Sequence, residues 1–232
     1  MSISVSIIHA PFDDQRRAMV KPILSQLIDE GLSLGITVSP DLYHIGIWPT
    51  AKIAWQQAFS FGATHHIVLQ DDIQLCKDFL LTMSLFTQLF PDNPVCPYCP
   101  RKIIEDCRSQ NNHWASIPDG CWGQAFMMPV TIVTDFLTWT DRHIRDEFKW
   151  DDSRVGMFLV DQHIPAMVCA PSLVEHLGAS SSIAGIPNKN KVARWFIGAN
   201  KSGLEIDWQS GMNNPVRGVS SLSRNYYKFY VP

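Results

Sequence analysis

The sequence lacks the features of secreted and membrane proteins. It has no basic N-terminal region followed by an apolar stretch, and no apolar run is long enough to span a membrane. Its six cysteines are not spaced as in small, disulfide-bonded extracellular domains. Reduced thiols in a cytosol are therefore expected rather than disulfides. It also has no internal repeat and no low-complexity stretch, which excludes a repeat architecture. We therefore predict a cytoplasmic protein with no membrane partner.

The sequence also has little excess charge of either sign. The net charge is −3 and 18% of the residues are charged, so the overall charge does not indicate a protein that binds polyanions. The C-terminal part differs, because residues 185–232 hold seven Lys or Arg residues and two acids, a local charge of about +5. Such a segment predicts contact with an anion, for example phosphate. A solvated basic tail is the alternative interpretation.

The length of 232 residues and the hydrophobic content of 46% suit one α/β domain with a modest extension. Cys96, Cys99, Cys107 and His113 make a candidate zinc set, but their spacing matches no standard zinc motif. Two interpretations stay open for this segment, a structural zinc site or an irregular loop without metal.

Apolar patterns predict repeated strand–helix units. A strand Ile3–Ile8, a helix Gln15–Ile28 with Asp14 as its N-cap, and a strand Ile36–Ser39 form a βαβ unit, which predicts a parallel sheet. The later expectations are a helix from Pro49 to about Gly62, a strand Thr64–Leu69, a helix Phe79–Phe90, an irregular span Pro91–Asp119, a strand approaching Pro129, a helix Val130–Trp139, a helix opened by Asp151-Asp152 and a strand Val168–Ala170.

Two pairs of adjacent acids occupy informative positions. Asp71 and Asp72 directly follow the buried strand that ends at Leu69-Gln70. Buried carboxylates are costly unless a cation meets them, and ligands bind at the carboxyl ends of strands in open α/β sheets. Asp151 and Asp152 open an amphipathic helix. For both pairs the alternative is a capping role at the N-terminus of the following helix.

The order of these features resembles the GT-A fold of nucleotide-sugar glycosyltransferases over most of residues 3–183. An acid pair ends a strand, a glycine-bearing strand approach follows around Gly123, and a second acid pair opens a helix. Next comes a segment that closely resembles the corresponding motif of the family, Pro171-Ser172-Leu173-Val174-Glu175-His176-Leu177-Gly178. The resemblance implies a single Rossmann-like GT-A domain over 1–184 with a mainly parallel sheet. Residues 185–232 are then a basic C-terminal extension packing on the same domain.

The resemblance also assigns roles to residues. Asp72 and His176 hold Mn²⁺ or Mg²⁺ on the pyrophosphate of a UDP-sugar, and Asp71 lies near the donor ribose. The catalytic base of an inverting transfer comes from the second acid pair, with Asp152 favoured over Asp151. Gly123 belongs to the loop that closes over donor and acceptor. The residues expected around the nucleotide are His9, Pro11, Asp41, Trp48, Lys52 and Gln56.

The acceptor is a separate question. The whole chain resembles small phage-encoded transferases that glycosylate hydroxymethylated pyrimidines, such as 5-hydroxymethylcytosine, in DNA. The basic, aromatic C-terminal segment suits phosphate contacts and base stacking, with Arg217, Arg224 and Lys228 as the expected phosphate contacts. The alternatives are a transferase of cell-surface polysaccharide or lipooligosaccharide synthesis, and a non-catalytic module that binds a nucleotide-sugar or a nucleic acid. The sugar and the oligomeric state stay open.

Overall fold

The first βαβ unit forms as its pattern predicts. The computed structural model describes residues 2–12, 14–31, 35–42, 45–177, 192–222 and 224–231. Strand β1 (Ile3–His9) pairs in parallel with both β2 (Ile36–Pro40) and β3 (His65–Gln70), and helix α1 (Asp14–Asp29) connects the first two strands. Asp14 is the first residue of α1 rather than a residue preceding it.

The rest of the chain adds five helices, seven strands and three short 3₁₀ segments within the described residues. The helices are α2 (Ile47–Gln56), α3 (Phe79–Leu89), α4 (Ile103–Ser109), α5 (Val130–His143) and α6 (Asp151–Asp161). The strands are β4 (Ile73–Leu75), β5 (Val95–Cys96), β6 (Trp114–Ile117), β7 (Ala125–Pro129), β8 (Ala166–Cys169), β9 (Val174–His176) and β10 (Val216–Arg217). The 3₁₀ segments are Gln57–Phe59, Gly203–Glu205 and Arg224–Phe229.

Eight strands form one central sheet in the order β10-β6-β8-β5-β7-β3-β1-β2. Four neighbouring pairs are parallel and three are antiparallel, which makes the sheet mixed with a parallel majority. A separate antiparallel pair joins β4 to β9, with Ile73 opposite His176. The predicted α/β class and single domain are confirmed.

Apolar side chains cover both faces of the central sheet. In β3, Val68 joins the cluster that packs under α2, α5 and α6, whereas Ile67 and Leu69 join the cluster under α1 and α3. This alternation follows from the two-residue period of a strand. A strand that is buried on both faces has little room for charged side chains. The two acids that follow β3 therefore lie beyond its buried part, at its carboxyl end. No helix in the described ranges is long and apolar enough to cross a bilayer.

The prediction of an irregular span from Pro91 to Asp119 is wrong. This span contains β5, α4 and β6, three elements of two, seven and four residues. Elements this short show no detectable period, and the prolines between them suggested a loop. Their order comes from neighbouring strands, because β5 pairs with β7 and β8, and β6 pairs with β8 and β10.

The same region does not assemble the candidate zinc set. Cys96, Cys99 and Cys107 are buried thiols, and burial raises the pKa of Cys96 to about 12 and that of Cys107 to about 11. His113 uses its Nδ1 in a hydrogen bond with the Ala170 carbonyl at 2.7 Å. Among the residues that the structure describes, no group of three or more metal-ligating side chains forms.

The described part of the C-terminal segment lies against the sheet and helices. Strand β10 adds to the edge of the central sheet beside β6. The ring of Tyr230 stacks on that of His143 with centroids 5.4 Å apart, and Phe229 packs on Phe148 at 5.0 Å. Residues 192–222 and 224–231 therefore contact the body of the protein. The expected boundary at 184/185 lies outside the described residues.

Candidate active site

Two histidines of β3 fix the strand that carries the first acid pair. The Nε2 of His66 donates to the Ala54 carbonyl at 3.0 Å, so its Nδ1 accepts from the Ser4 hydroxyl at 2.7 Å. Burial lowers the pKa of His66 to about 4, so the ring is neutral at neutral pH. Burial also lowers the pKa of His65. The neutral ring of His66 thus links β3 to Ser4 of β1 and to the carbonyl of Ala54.

Asp71 and Asp72 form the turn between β3 and β4 and are almost completely buried, at 0% and 1% exposure. Helix α3 begins only at Phe79 and is preceded by Asp78, so neither acid caps it. The capping alternative for this pair is therefore excluded. The carboxylates instead have cationic and polar partners at the carboxyl end of the sheet.

Asp71 is fully bonded by neighbouring groups. Its Oδ2 accepts from the Ala10 backbone N–H at 2.8 Å and lies 2.7 Å from Nδ1 of His9. Its Oδ1 accepts from Nη1 of Arg16 at 2.6 Å. The other guanidinium nitrogen of Arg16 donates to Oδ2 of Asp72 at 2.7 Å. One cation therefore bridges the two acids.

His176 meets Asp72, as the motif predicts. Its Nε2 lies 3.1 Å from Oδ2 of Asp72, because β9 pairs with β4 directly after the acids. Burial alone raises the pKa of Asp72, but the hydrogen bond with His176 and the charge of Arg16 outweigh burial and lower it. Among the described residues, Asp72 Oδ1 and His176 Nδ1 are buried without a hydrogen-bond partner.

This pair fits a divalent metal. Neighbouring ligands of an octahedral Mg²⁺-sized ion lie about 3 Å apart, which matches the separation of the two side chains. The partnerless Oδ1 of Asp72 offers a further acceptor. A carboxylate and an imidazole suit Mn²⁺. Two protein ligands leave several positions of the ion to other donors.

A cleft of about 820 Å³, including its open mouth, lies at this end of the sheet. Asp72 lies on one wall, and the second acid pair lies on the same cleft. The cleft brings together six of the residues that the sequence predicted, namely His9, Asp41, Asp72, Gly123, Asp151 and Asp152. Asp71 and His176 lie directly behind it, through their bonds to His9 and Asp72.

Asp151 and Asp152 are the first two residues of α6, after Trp150. The N-cap position is Trp150, which makes no side-chain capping bond. Asp152, by contrast, accepts from a backbone N–H of the first turn, where the helix N-terminus also stabilises a carboxylate, so the capping interpretation holds for Asp152 beside any role in the cleft. Asp151 is buried at 8% exposure, whereas Asp152 is partly exposed. Oδ1 of Asp152 accepts from the Ser153 N–H at 2.7 Å. Asp152 is therefore the more accessible acid.

Gly123 lies where two walls of the cleft come close to each other. A Cβ at this position would lie 2.7 Å from Nε2 of Gln70 and 3.7 Å from Oδ2 of Asp151. The absence of a side chain lets the backbone pass between the strand that carries the first acid pair and the helix that carries the second.

Four residues expected at the nucleotide do not line the cleft. Trp48 is buried, with the guanidinium of Arg154 4.4 Å from its ring centroid and Phe136 at 5.9 Å. Lys52 pairs with Asp141 at 2.6 Å, and Gln56 is exposed at the end of α2. Pro11 lies in the turn after β1. The residues of this segment that line the cleft are instead Ile47 and Thr50 of α2 and Gly46 just before it. Asp41 accepts hydrogen bonds from the Ile45 and Gly46 N–H groups.

Sequence reasoning missed Arg16, Phe12 and Trp150 in the cleft. For Arg16 a signal existed, because a buried acid pair requires a nearby cation and α1 starts beside that pair. The same reasoning applies to Arg17 as the cation near the acid pair, but Arg17 lies on the exposed side of α1, where it pairs with Asp14. Phe12 and Trp150 carry no sequence signal beyond their neighbours.

Comparison with known proteins finds solved structures that match but no match by sequence. No family model matches the sequence, and no curated protein matches it. Thirty-four chains of solved structures match. One is S. aureus TarS 1-349, with 11% identity, a TM-score of 0.47, and coverage of 74% of this chain and 58% of that chain. Another is a glycosyltransferase involved in glycosylation of the major capsid of PBCV-1, with 13% identity, a TM-score of 0.38, and coverage of 74% and 83%. This chain thus spans less than two thirds of the TarS chain.

Proposed function

We propose that the protein is a metal-dependent glycosyltransferase that moves a sugar from a UDP-sugar to a hydroxyl acceptor. The observation that carries the proposal is the arrangement of the cleft. Asp72 contacts His176 at 3.1 Å on one side, and the accessible Asp152 lines the same cleft. A metal-holding pair and a second carboxylate on one cleft suit the transfer of a group from a diphosphate to a hydroxyl.

On the donor side, Asp72 and His176 would hold Mn²⁺ or Mg²⁺, with the remaining positions filled by pyrophosphate oxygens and water. When bound, the ion supplies positive charge that stabilises the departing nucleoside diphosphate. Arg16 and the Ala10 N–H group hold the Asp71 carboxylate in place through hydrogen bonds, beside the position where we place the nucleotide. His9, Phe12 and Asp41 also line the cleft, and we place the nucleoside against them.

On the acceptor side, Asp152 acts as the general base. It stands at the start of α6, partly exposed to the cleft, and would remove the proton from the acceptor hydroxyl as that oxygen attacks the anomeric carbon. Attack from the side opposite the leaving diphosphate inverts the anomeric configuration. Asp151 is more deeply buried beside Gly123, which suits a supporting role.

As acceptor we propose a 5-hydroxymethylpyrimidine, such as 5-hydroxymethylcytosine, in DNA. The support is the position of the basic C-terminal segment. Lys228 borders a hollow with Phe148 and Trp150, and Trp150 also lines the donor cleft. Arg217 is exposed on the edge strand β10. Lys228 and the aromatic rings beside the cleft suit a polyanionic strand whose base must leave the stack to react, and Arg217 at the far edge of the sheet offers a further phosphate contact.

A panel of donors and acceptors tests the proposal. The donors are UDP-glucose, UDP-galactose, UDP-N-acetylglucosamine and a UDP-pentose. Each is offered with hydroxymethylcytosine DNA, hydroxymethyluracil DNA, unmodified DNA and a lipooligosaccharide acceptor, in the presence of Mn²⁺ or EDTA. The expected result is a hexose or pentose mass increment on a hydroxymethylated nucleoside, in Mn²⁺ only. Transfer to a saccharide acceptor and not to DNA would replace the proposed acceptor by a surface glycan. UDP-sugar binding without consumption would indicate a binding module.

A further inference from the structure

Arg16 bridges the two acids that follow β3. Its Nη1 donates to Asp71 Oδ1 at 2.6 Å and its Nη2 donates to Asp72 Oδ2 at 2.7 Å. The acid side chains are 0% and 1% exposed, and the arginine side chain is 11% exposed. Two carboxylates in such a setting repel each other and lose their hydration, so a cation between them stabilises the folded protein.

The two acids are not equivalent in this network. Both oxygens of Asp71 are used, one by Arg16 and the other by the Ala10 N–H and His9. Asp72 keeps one oxygen, Oδ1, without a partner among the described residues. The arrangement leaves a partnerless oxygen at Asp72, the acid that pairs with His176.

We propose that Arg16 is an internal counter-ion that competes with the divalent metal for Asp72. Before donor and metal bind, the guanidinium holds Oδ2 of Asp72. When the metal binds, Arg16 releases that oxygen and keeps its bond to Asp71. This inference rests on the proposed function in one respect, that Asp72 and His176 hold the metal. The physical reason is that a guanidinium and a divalent cation on one carboxylate repel each other strongly in a buried site.

The same displacement links the metal to the nucleotide. Arg16 lines the donor cleft, so the nitrogen released from Asp72 faces the space of the donor diphosphate. A guanidinium donates well to phosphate oxygens, and those oxygens also complete the metal shell. The nucleotide therefore provides a new partner for Arg16 and ligands for the metal at once. Metal alone binds weakly, and metal and nucleotide each strengthen the binding of the other by the same factor.

The test measures Mn²⁺ binding to the full chain by electron paramagnetic resonance of free Mn²⁺, with and without UDP. The variant is Arg16→Met, which keeps an unbranched stem up to the position of Nε and removes the charged end of the guanidinium group. The matched control is Arg17→Met, because Arg17 is the next residue of α1 and pairs with the exposed Asp14. Arg16→Met is expected to raise the affinity for Mn²⁺ alone by about 10- to 100-fold and to reduce the gain from UDP. Arg17→Met is expected to change neither.

A second variant, Arg16→Lys, keeps the test decisive if Arg16→Met does not fold. It keeps the positive charge, but a single ammonium does not bridge two carboxylates as a planar fork does. We expect a rise of a few-fold in Mn²⁺ affinity, between wild type and Arg16→Met. Equal Mn²⁺ affinity in the wild type and the folded Arg16 variants, with UDP still strengthening binding, overturns this inference and leaves the proposed function intact. No Mn²⁺ binding by any protein in the presence of UDP overturns the metal assignment itself.

Discussion

Protonation of His66 is expected to destabilise the strand that carries the first acid pair. In the folded protein burial lowers the pKa of His66 to about 4, whereas an unfolded chain has the ordinary value of about 6.5. Between these values the unfolded chain binds more protons than the folded one. The free energy of unfolding is therefore highest above pH 6.5 and decreases as the pH falls towards 4. A neutral ring is also required by the hydrogen bonds to Ser4 and Ala54.

The size of this effect follows from the shift. Two and a half pKa units correspond to about 3 kcal/mol in full, of which about 2 kcal/mol is lost between pH 7.5 and pH 5. We expect His66→Gln to remove about 2 kcal/mol of the difference between the unfolding free energies at these two pH values. The variant is less stable at pH 7.5, because its amide does not reproduce both bonds of the ring. The comparison therefore uses the change with pH and not the absolute stability.

The assay is urea unfolding at pH 7.5, 6.5, 5.5 and 5.0, followed by tryptophan fluorescence. His65 contributes in both proteins, since its pKa is lowered too, and cancels in the comparison. The control is His163→Asn, because His163 is exposed with a positive φ of 55°, which Asn tolerates. The control is expected to keep the wild-type pH dependence. Parallel curves for wild type and His66→Gln would refute the assignment of a neutral, buried His66.

Three further predictions concern the cleft and the C-terminal segment. Asp152→Asn is expected to lower kcat by about 10²- to 10⁴-fold with unchanged UDP affinity, measured by UDP release and calorimetry; an undiminished kcat would remove the base role. Gly123→Ala is expected to displace the Gln70 amide, raise the donor KM several-fold and change the free energy of unfolding by less than about 1 kcal/mol; a normal KM would place the donor elsewhere. Arg217→Ala with Lys228→Ala is expected to reduce the log–log salt dependence of DNA binding by about 1.5 while UDP affinity stays constant, whereas an unchanged slope would exclude these phosphate contacts.

Much of the parallel half of the sheet was predictable from the sequence. Ile3–Ile8, Ile36–Ser39 and Thr64–Leu69 are apolar runs separated by helix-length segments, and each is a strand in the structure within two residues. The strands β5, β6 and β10 have two to four residues, which is too few to show a period. Their positions follow from pairing with distant strands, which a local pattern does not contain.

The site residues that stand at the ends of strands or helices were predictable from the sequence. The site residues within a helix were less predictable, because the sequence had to indicate which face of the helix is turned to the cleft. Asp72, Asp152 and His176 stand at the starts or ends of elements, so their positions do not depend on helix phase. Trp48 and Lys52 belong to one stripe of α2, and the stripe that faces the cleft is formed by neighbouring residues such as Thr50. Successive helix residues are rotated by about 100°, so an error of one or two positions moves a side chain to another face.

The most direct test of the central claim is the affinity for UDP with Mn²⁺ and with EDTA, measured by calorimetry in the wild type and in Asp72→Ala. The account predicts tight binding of UDP by the wild type in Mn²⁺ and a loss of about 10- to 100-fold or more in EDTA. It predicts the same loss in Asp72→Ala, with little further effect of EDTA, because the variant lacks the carboxylate that contacts His176. Equal UDP affinity in all four experiments would contradict a metal-assisted nucleotide-sugar site at Asp72.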